Sequence, residues 1–150
     1  MISPELLEQI KNDLRRHEGC VPHVYLDSEG LRTLGIGHLI GNSDPEWFYE
    51  VGMPVDPEVV EEYFEEDVAE AVHDASYLVN LEKHPDFVKR VLINMAFNLG
   101  RTRLSGFKKM LKCIEDRNYG LAANEMVDSK WYKQVGRRSK ELVKIMRGEA

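Results

Sequence analysis

The sequence predicts an α+β fold, mostly helical, with a small β-hairpin lobe and a helical bundle lobe joined by a long helix. Three observations carry this. A capped amphipathic helix opens the chain. A short stretch rich in β-branched residues and punctuated by glycine follows. From about residue 43 onward, apolar residues recur at helical spacing almost without a break.

Ser3 is a good N-cap, Pro4 suits the first helical position and Glu5 favours the positive end of the helix dipole. Leu6, Leu7, Ile10 and Leu14 then form one apolar stripe, and Gly19 stops the helix just after Glu18. Val21 to Asp27 and Leu31 to Leu39 read as two strands around the turn Asp27-Ser28-Glu29-Gly30. Gly35 and Gly37 mark a bend, a bulge or a close backbone approach in the second strand. Ser43-Asp44-Pro45 starts a short helix that Gly52 ends, and Asp56-Pro57 starts a long one with Val59, Val60, Tyr63, Phe64, Val68, Ala71 and Val72 on its apolar side. Pro85 opens a helix that Gly100 stops. Further helices are expected over Phe107 to Ile114, Leu121 to Val127 and Arg137 to Met146. The first helix needs a partner for its stripe. Packing it on the bundle makes one domain over 1–150 with a lobe at about 17–66 and a helical lobe of about 1–16 plus 67–150. A cleft between such lobes is where a ligand is expected.

Composition narrows the function classes. Apolar residues are 43% and charged residues 31%, which excludes disorder and fibrous repeats. Two cysteines, Cys20 and Cys113, are too few for a disulfide framework and read as buried or neutral thiols. No stretch approaches the ~20 apolar residues of a membrane span, and Glu5, Glu8 and Asp13 stand where an export signal would be basic and then apolar. The net charge of -6 argues against a nucleic-acid partner. That figure hides an asymmetry. Residues 1–100 hold 7 basic and 20 acidic residues, whereas 101–150 hold 13 and 6. Five scattered histidines show no metal-ligand spacing, so neither metal nor cofactor is expected.

Glu18 at a helix end and Asp27 at a hairpin turn put two carboxyl groups in unlike settings, which is what glycoside hydrolysis uses. Glu18 faces the negative end of the helix dipole, which disfavours its charged form and suits an acid. Asp27, in a solvated turn, is expected to stay ionised. Taken alone, the pair is also ordinary turn and helix-end chemistry.

The wider string is more specific: Glu18, eight residues, Asp27, five residues, Thr33, then Gly35-Ile36-Gly37-His38. This resembles the signature of phage lysozymes of the T-even type, glycoside hydrolase family 24. The likeness continues through Phe64 to Val68, Ile93 to Gly100 with Gly106-Phe107, and Lys130 to Gln134 with Arg138.

The resemblance implies a lysozyme-like fold and a muramidase that cuts the β-1,4 bond between N-acetylmuramic acid and N-acetylglucosamine with inversion. Glu18 would be the general acid, while Asp27 and Thr33 would hold the attacking water. Leu39, Phe97, Asn98 and Arg138 would contact substrate, although Phe97 also reads as core. Arg138, or the adjacent Arg137, would pair with Glu18. His38 would form an ion pair with Asp67 that ties hairpin to long helix. Asn98 stands where the family usually carries the longer Gln, and the segment between His38 and Asp67 is short and acidic. The implied partner is the peptidoglycan glycan strand, bound by a monomer. The protein would wait in the host bacterial cytoplasm and reach the wall or periplasm through a holin-type pore, as an endolysin does. A chitinase-like hydrolase and a catalytically silent wall-binding or tail-structural module are the alternatives. Lytic transglycosylases typically use the Glu without an Asp partner.

Overall fold

The computed structural model describes residues 2–149; the two ends of the expected domain, Met1 and Ala150, lie outside the described residues. The chain divides into two compact units, one of Lys11–Ala69 and one built from the chain up to Ile10 together with Glu70 onward. Among the described residues there are seven α-helices and one antiparallel sheet of three short strands.

Helix α1 (Pro4–Glu18) starts as its sequence dictates: the Ser3 hydroxyl accepts the Leu6 N–H at 3.1 Å. Leu6, Ile10 and Leu14 are buried along its apolar side. Gly19, in the left-handed region at φ 71°, donates its N–H to the Arg15 carbonyl and closes the helix.

Within the unit of Lys11–Ala69, β1 (Val21–Leu26), β2 (Arg32–Gly35) and β3 (His38–Leu39) follow in spatial order. The expected single strand over Leu31 to Leu39 is two strands. Gly35 (φ 58°) and Gly37 (φ 67°) occupy a conformation open mainly to glycine and turn the chain back on itself between them. The register pairs Tyr25 with Thr33 and Thr33 with Leu39, after an irregularity between Val21 and Tyr25. The outer edge of β1 is covered. Val24 exchanges hydrogen bonds with Gly52 and Met53, and the Val55 N–H reaches the Pro22 carbonyl. The expected short helix starts at Pro45 but is a single 3-10 turn (Pro45–Phe48) that ends before Gly52.

Helix α2 (Pro57–Leu78) buries Val60, Phe64 and Val68 within this unit. The Cβ position at Gly35 lies 2.6 Å from Val60 Cγ1, so the β2 backbone packs directly on the helix. The Arg15 guanidinium lies 4.5 Å from the Phe64 ring centre and holds Glu61 with two hydrogen bonds of 2.8 and 3.0 Å; Lys11 pairs with Glu65 at 2.8 Å.

In the other unit, α3 (Asp86–Ser105) is the central element, with Val88, Val91, Leu92, Ile93, Asn94, Met95, Ala96 and Leu99 buried. Gly100, non-helical at φ 77°, ψ 169°, stops the first helical stretch as expected, and a second short stretch runs on from it to Ser105. Around it lie α4 (Lys108–Glu115), α5 (Tyr119–Val127), α6 (Lys130–Val135) and α7 (Arg137–Met146), with α7 in contact with α3, α5 and α6. Helix α6 was not expected. Its six residues are too few for a periodic signal, although Ser129 caps it by accepting the Tyr132 N–H. Helix α5 begins two residues earlier than expected, capped by Asn118. Both cysteines are free, and Cys20 is exposed rather than buried. No helix among the described residues is long and apolar enough to cross a membrane.

Phe64, 1% exposed, anchors α2 in the smaller unit. Phe64→Ala is expected to lower stability by about 3–5 kcal/mol in denaturant unfolding, whereas Glu61→Ala, at an exposed ion pair, should cost about 1 kcal/mol or less.

Candidate active site

Three of the expected site residues, Glu18, Asp27 and Thr33, belong to the unit of Lys11–Ala69, and the hairpin fixes two of them through the backbone of one residue, Leu31. The Asp27 Oδ1 accepts the N–H groups of Glu29 (2.8 Å) and Leu31 (2.9 Å), the usual way an Asp closes its own turn. Its Oδ2 takes no hydrogen bond among the described residues. The Thr33 hydroxyl donates to the Leu31 carbonyl at 3.0 Å, and that carbonyl also accepts the Asp27 N–H at 2.9 Å. The Leu31 backbone therefore holds the Asp27 carboxylate with its N–H side and the Thr33 hydroxyl with its carbonyl. With its proton committed, the Thr33 oxygen can offer lone pairs to a further donor. Thr33 is only 4% exposed, so that donor must be small.

Glu18 is placed by glycine. The Cβ position at Gly37 lies 2.6 Å from Glu18 Oε1 and 2.8 Å from Cδ, so the carboxyl group packs against bare backbone. Any larger residue at position 37 would occupy the space of the carboxyl group and would also sit at an unfavourable φ.

His38, next in sequence, is built into a network. Its Nδ1 lies 2.8 Å from Asp67 Oδ2 on α2, and its Nε2 lies 2.8 Å from Asp44 Oδ2. The same Asp44 oxygen accepts the Gly41 N–H at 2.9 Å. Two carboxylate acceptors, one on each ring nitrogen, fit the doubly protonated imidazolium. The ring stacks on Tyr63 with centres 3.8 Å apart, and the Tyr63 hydroxyl donates to the buried Glu46. Burial opposes the His38 charge, but the hydrogen bonds to Asp67 and Asp44 outweigh it and hold the imidazole above its ordinary range. Burial likewise opposes the Asp44 charge, but the Gly41 N–H and His38 prevail and hold its carboxyl below the ordinary range. Asp44 is a partner that sequence reasoning missed. The one available signal was an acid six residues after the histidine, in a loop.

Leu39 stands on β3 and is 55% exposed. The remaining expected contacts belong to the other unit. Asn98 on α3 accepts the Trp131 indole N–H at 2.8 Å, so its carbonyl clamps α6 to α3 and its amide N–H groups remain. Phe97 is half-buried beside it. Arg138 on α7 is 9% exposed and donates through Nε to the Asn94 side chain at 2.9 Å; Arg137 is exposed.

Two carboxyl groups in unlike settings, on a glycine-shaped hairpin at the end of a helix, are the equipment of a glycosidase. Comparison with known proteins names the kind. The profile of the phage lysozyme family matches residues 15–149, and the chain belongs to that family. It is 32% identical over 160 residues to probable T4-type lysozyme 2 of Dictyostelium discoideum, covering 93% of this chain and 94% of that one. It is 28% identical over 137 residues to the peptidoglycan hydrolase gp36 of Pseudomonas phage phiKMV (91% of this chain, 15% of that one). It is 30% identical over 114 residues to the endolysin of Salmonella phage P22 (74% and 73%). The chain is thus a glycosidase of the lysozyme type.

Two predictions follow from this geometry. The raised His38 stabilises the fold fully below its unfolded value, about 6.5, and that contribution is lost as pH rises through the folded value. The depressed Asp44 contributes above its unfolded value, about 3.8, and is lost as pH falls through the folded value. The midpoint of thermal unfolding should therefore decline as pH rises above about 6.5 in the wild type, and this decline should flatten in His38→Gln. Gly37→Ala should lower murein hydrolysis at least about tenfold, because it displaces Glu18, with the protein still folded by circular dichroism.

Proposed function

We propose that the chain is an endolysin-type muramidase that hydrolyses the β-1,4 bond between N-acetylmuramic acid and N-acetylglucosamine in peptidoglycan, with inversion at the anomeric carbon. The observation that carries this reading is the locking of Asp27 and Thr33 onto the backbone N–H and carbonyl of one residue, Leu31. An inverting hydrolase must place a water on one face of the sugar and a proton donor on the other. The fixed Asp27 offers an oxygen, Oδ2, for the water's proton, and the Thr33 oxygen can accept a second hydrogen bond from the same water. Glu18, held against Gly37, is the proton donor to the leaving oxygen. Neither carboxyl group needs to move between substrate binding and reaction, which is where such a site gains its rate.

Leu39 lines the glycan path on the hairpin side. Phe97, Asn98 and Arg138 are the contacts proposed from the helical unit, with Asn98 reaching the sugar through its amide N–H groups. The relatives named as an endolysin and a peptidoglycan hydrolase support action on the bacterial wall. In this reading the monomer is released from the host cytoplasm through a holin-type pore.

The test is hydrolysis of purified murein with the anomeric form of the first product followed by NMR. Wild type should release the inverted anomer. Glu18→Gln should remain folded and lose about 10²–10⁴ of the rate or more. Retention of configuration would mean that Asp27 attacks the sugar directly. Activity on chitin oligomers but not on murein would turn the reading to a chitinase.

A further inference from the structure

Away from the residues assigned to hydrolysis, positive charge collects around one recess of the helical unit. The recess holds about 650 Å³ and is lined from the end of α2, from the 3-10 turn Leu81–Lys83 and from α4. That volume lies in the range of small-molecule sites, about 300–1,000 Å³. Four cations line it, Lys83, Lys108, Lys112 and Arg117, against one acid, Glu115.

The cations stand there against local preference. Lys108 opens α4 at the positive end of the helix dipole, where a cation is disfavoured and no acid of the first turn offsets it. Lys112 follows at i+4, the spacing at which like charges repel, and its own pair with Asp116, at 3.4 Å, is exposed. Arg117 is the one non-glycine among the described residues with a positive φ, at 59°. Its N–H reaches the Ile114 carbonyl and the Asn118 N–H reaches the Cys113 carbonyl, a helix ending that ordinarily puts glycine at this position. A long cationic side chain is thus kept where glycine would relieve the backbone. Lys83, Lys108 and Arg117 have no ion-pair partner among the described residues. The lining also includes a buried imidazole. His84 is 8% exposed, its Nδ1 lies 2.7 Å from the Tyr119 hydroxyl, and its Nε2 has no hydrogen bond to a described residue. Burial first, then Arg117 and Lys83, hold this imidazole below its ordinary range, so it stays neutral beside the cations.

We propose that this recess binds a sugar phosphate: Arg117 and the three lysines receive the phosphate, and Asn80 and Glu115 take the sugar hydroxyls. Arginine offers a phosphate two parallel N–H donors and lysine a point charge, so the two types together suit that group. Glu115 defines the rest of the ligand, because a carboxylate accepts protons from hydroxyls and repels a second anion. Leu78, Val79 and Leu111 supply apolar lining for the body of such a ligand, whereas a bare phosphate would leave most of the recess unfilled. None of these residues has a part in the proposed hydrolysis, so the two readings stand or fall separately.

The test is a titration of the full chain with glucose 1-phosphate at low ionic strength, followed by the NMR signals of the His84 ring. Binding with a Kd tighter than about 1 mM is expected, and the bound anion should move the His84 titration upward by offsetting Lys83 and Arg117. Inorganic phosphate should bind at least about tenfold more weakly. Arg117→Gly should weaken binding about tenfold while raising the midpoint of thermal unfolding by about 2–4 °C, since the same change removes a phosphate contact and relieves the backbone. An arginine with only a structural role would not set binding against stability in this way. Lys112→Gln, at an exposed position, should weaken binding about threefold, and it decides the matter if Arg117→Gly does not fold. No response of His84, equal affinity for inorganic phosphate, or wild-type affinity in both variants overturns the inference. Binding to phosphatidylglycerol vesicles with none to glucose 1-phosphate overturns it in favour of a lipid surface.

Discussion

The unit of Lys11–Ala69 is organised around one imidazole. His38 takes Asp67 on one ring nitrogen and Asp44 on the other, and lies flat on Tyr63, which in turn holds Glu46. These contacts join four otherwise separate pieces: the last strand of the sheet, the loop after it, the 3-10 turn and helix α2. The sheet needs such a fixture because β3 is only two residues long and makes few ladder bonds of its own. His38 also follows Gly37 directly, so pinning the imidazole pins the peptide on which the Glu18 carboxyl rests. A charge placed for stability thus fixes the backbone that places an acid.

The second constraint is economy of backbone. The backbone of Leu31 holds Asp27 by its N–H and Thr33 by its carbonyl, so the spacing between these two side chains is set by covalent geometry over six residues. Side-chain packing adds little freedom there. Glycine does the same on the other flank, where Gly35 brings β2 against Val60 and Gly37 brings the chain against Glu18. Both close approaches explain why a Gly-x-Gly-His string follows the Thr.

Much of this could be read before any coordinates. The Ser3 cap, the Gly19 stop and the Asp27 to Gly30 turn are local devices whose physics lies within four or five residues, and each stands where its spacing puts it. Glu18, Asp27 and Thr33 were legible as a spaced motif. The Leu31 backbone that locks two of them was not, since every non-proline residue offers the same N–H and carbonyl. The split of the second strand was signalled by Gly35 and Gly37 but not resolved, because a bend and a bulge look alike in sequence. Helix α6 escaped notice for its shortness, and Asp44 because a loop acid announces no partner. Gly100 carries a helix-stopping signal. It stops one helical stretch, and a second starts at once because the chain beyond it, through the buried Leu104, still has an apolar side to bury.

The same hairpin has a consequence for how the protein acquires its activity. The contacts of Asp27 with Glu29 and Leu31, and of Thr33 with Leu31, span at most four residues in sequence. Loop closure at that distance carries almost no entropic penalty, and hairpins assemble in about 1–10 μs. The seat of Glu18 is of a different kind: it waits on Gly37, nineteen residues away, and on an imidazole that must find α2 another twenty-nine residues along. The two sides of the site are therefore separated in time as the chain folds, the Asp27–Thr33 turn formed first and the seat of Glu18 on Gly37 completed last.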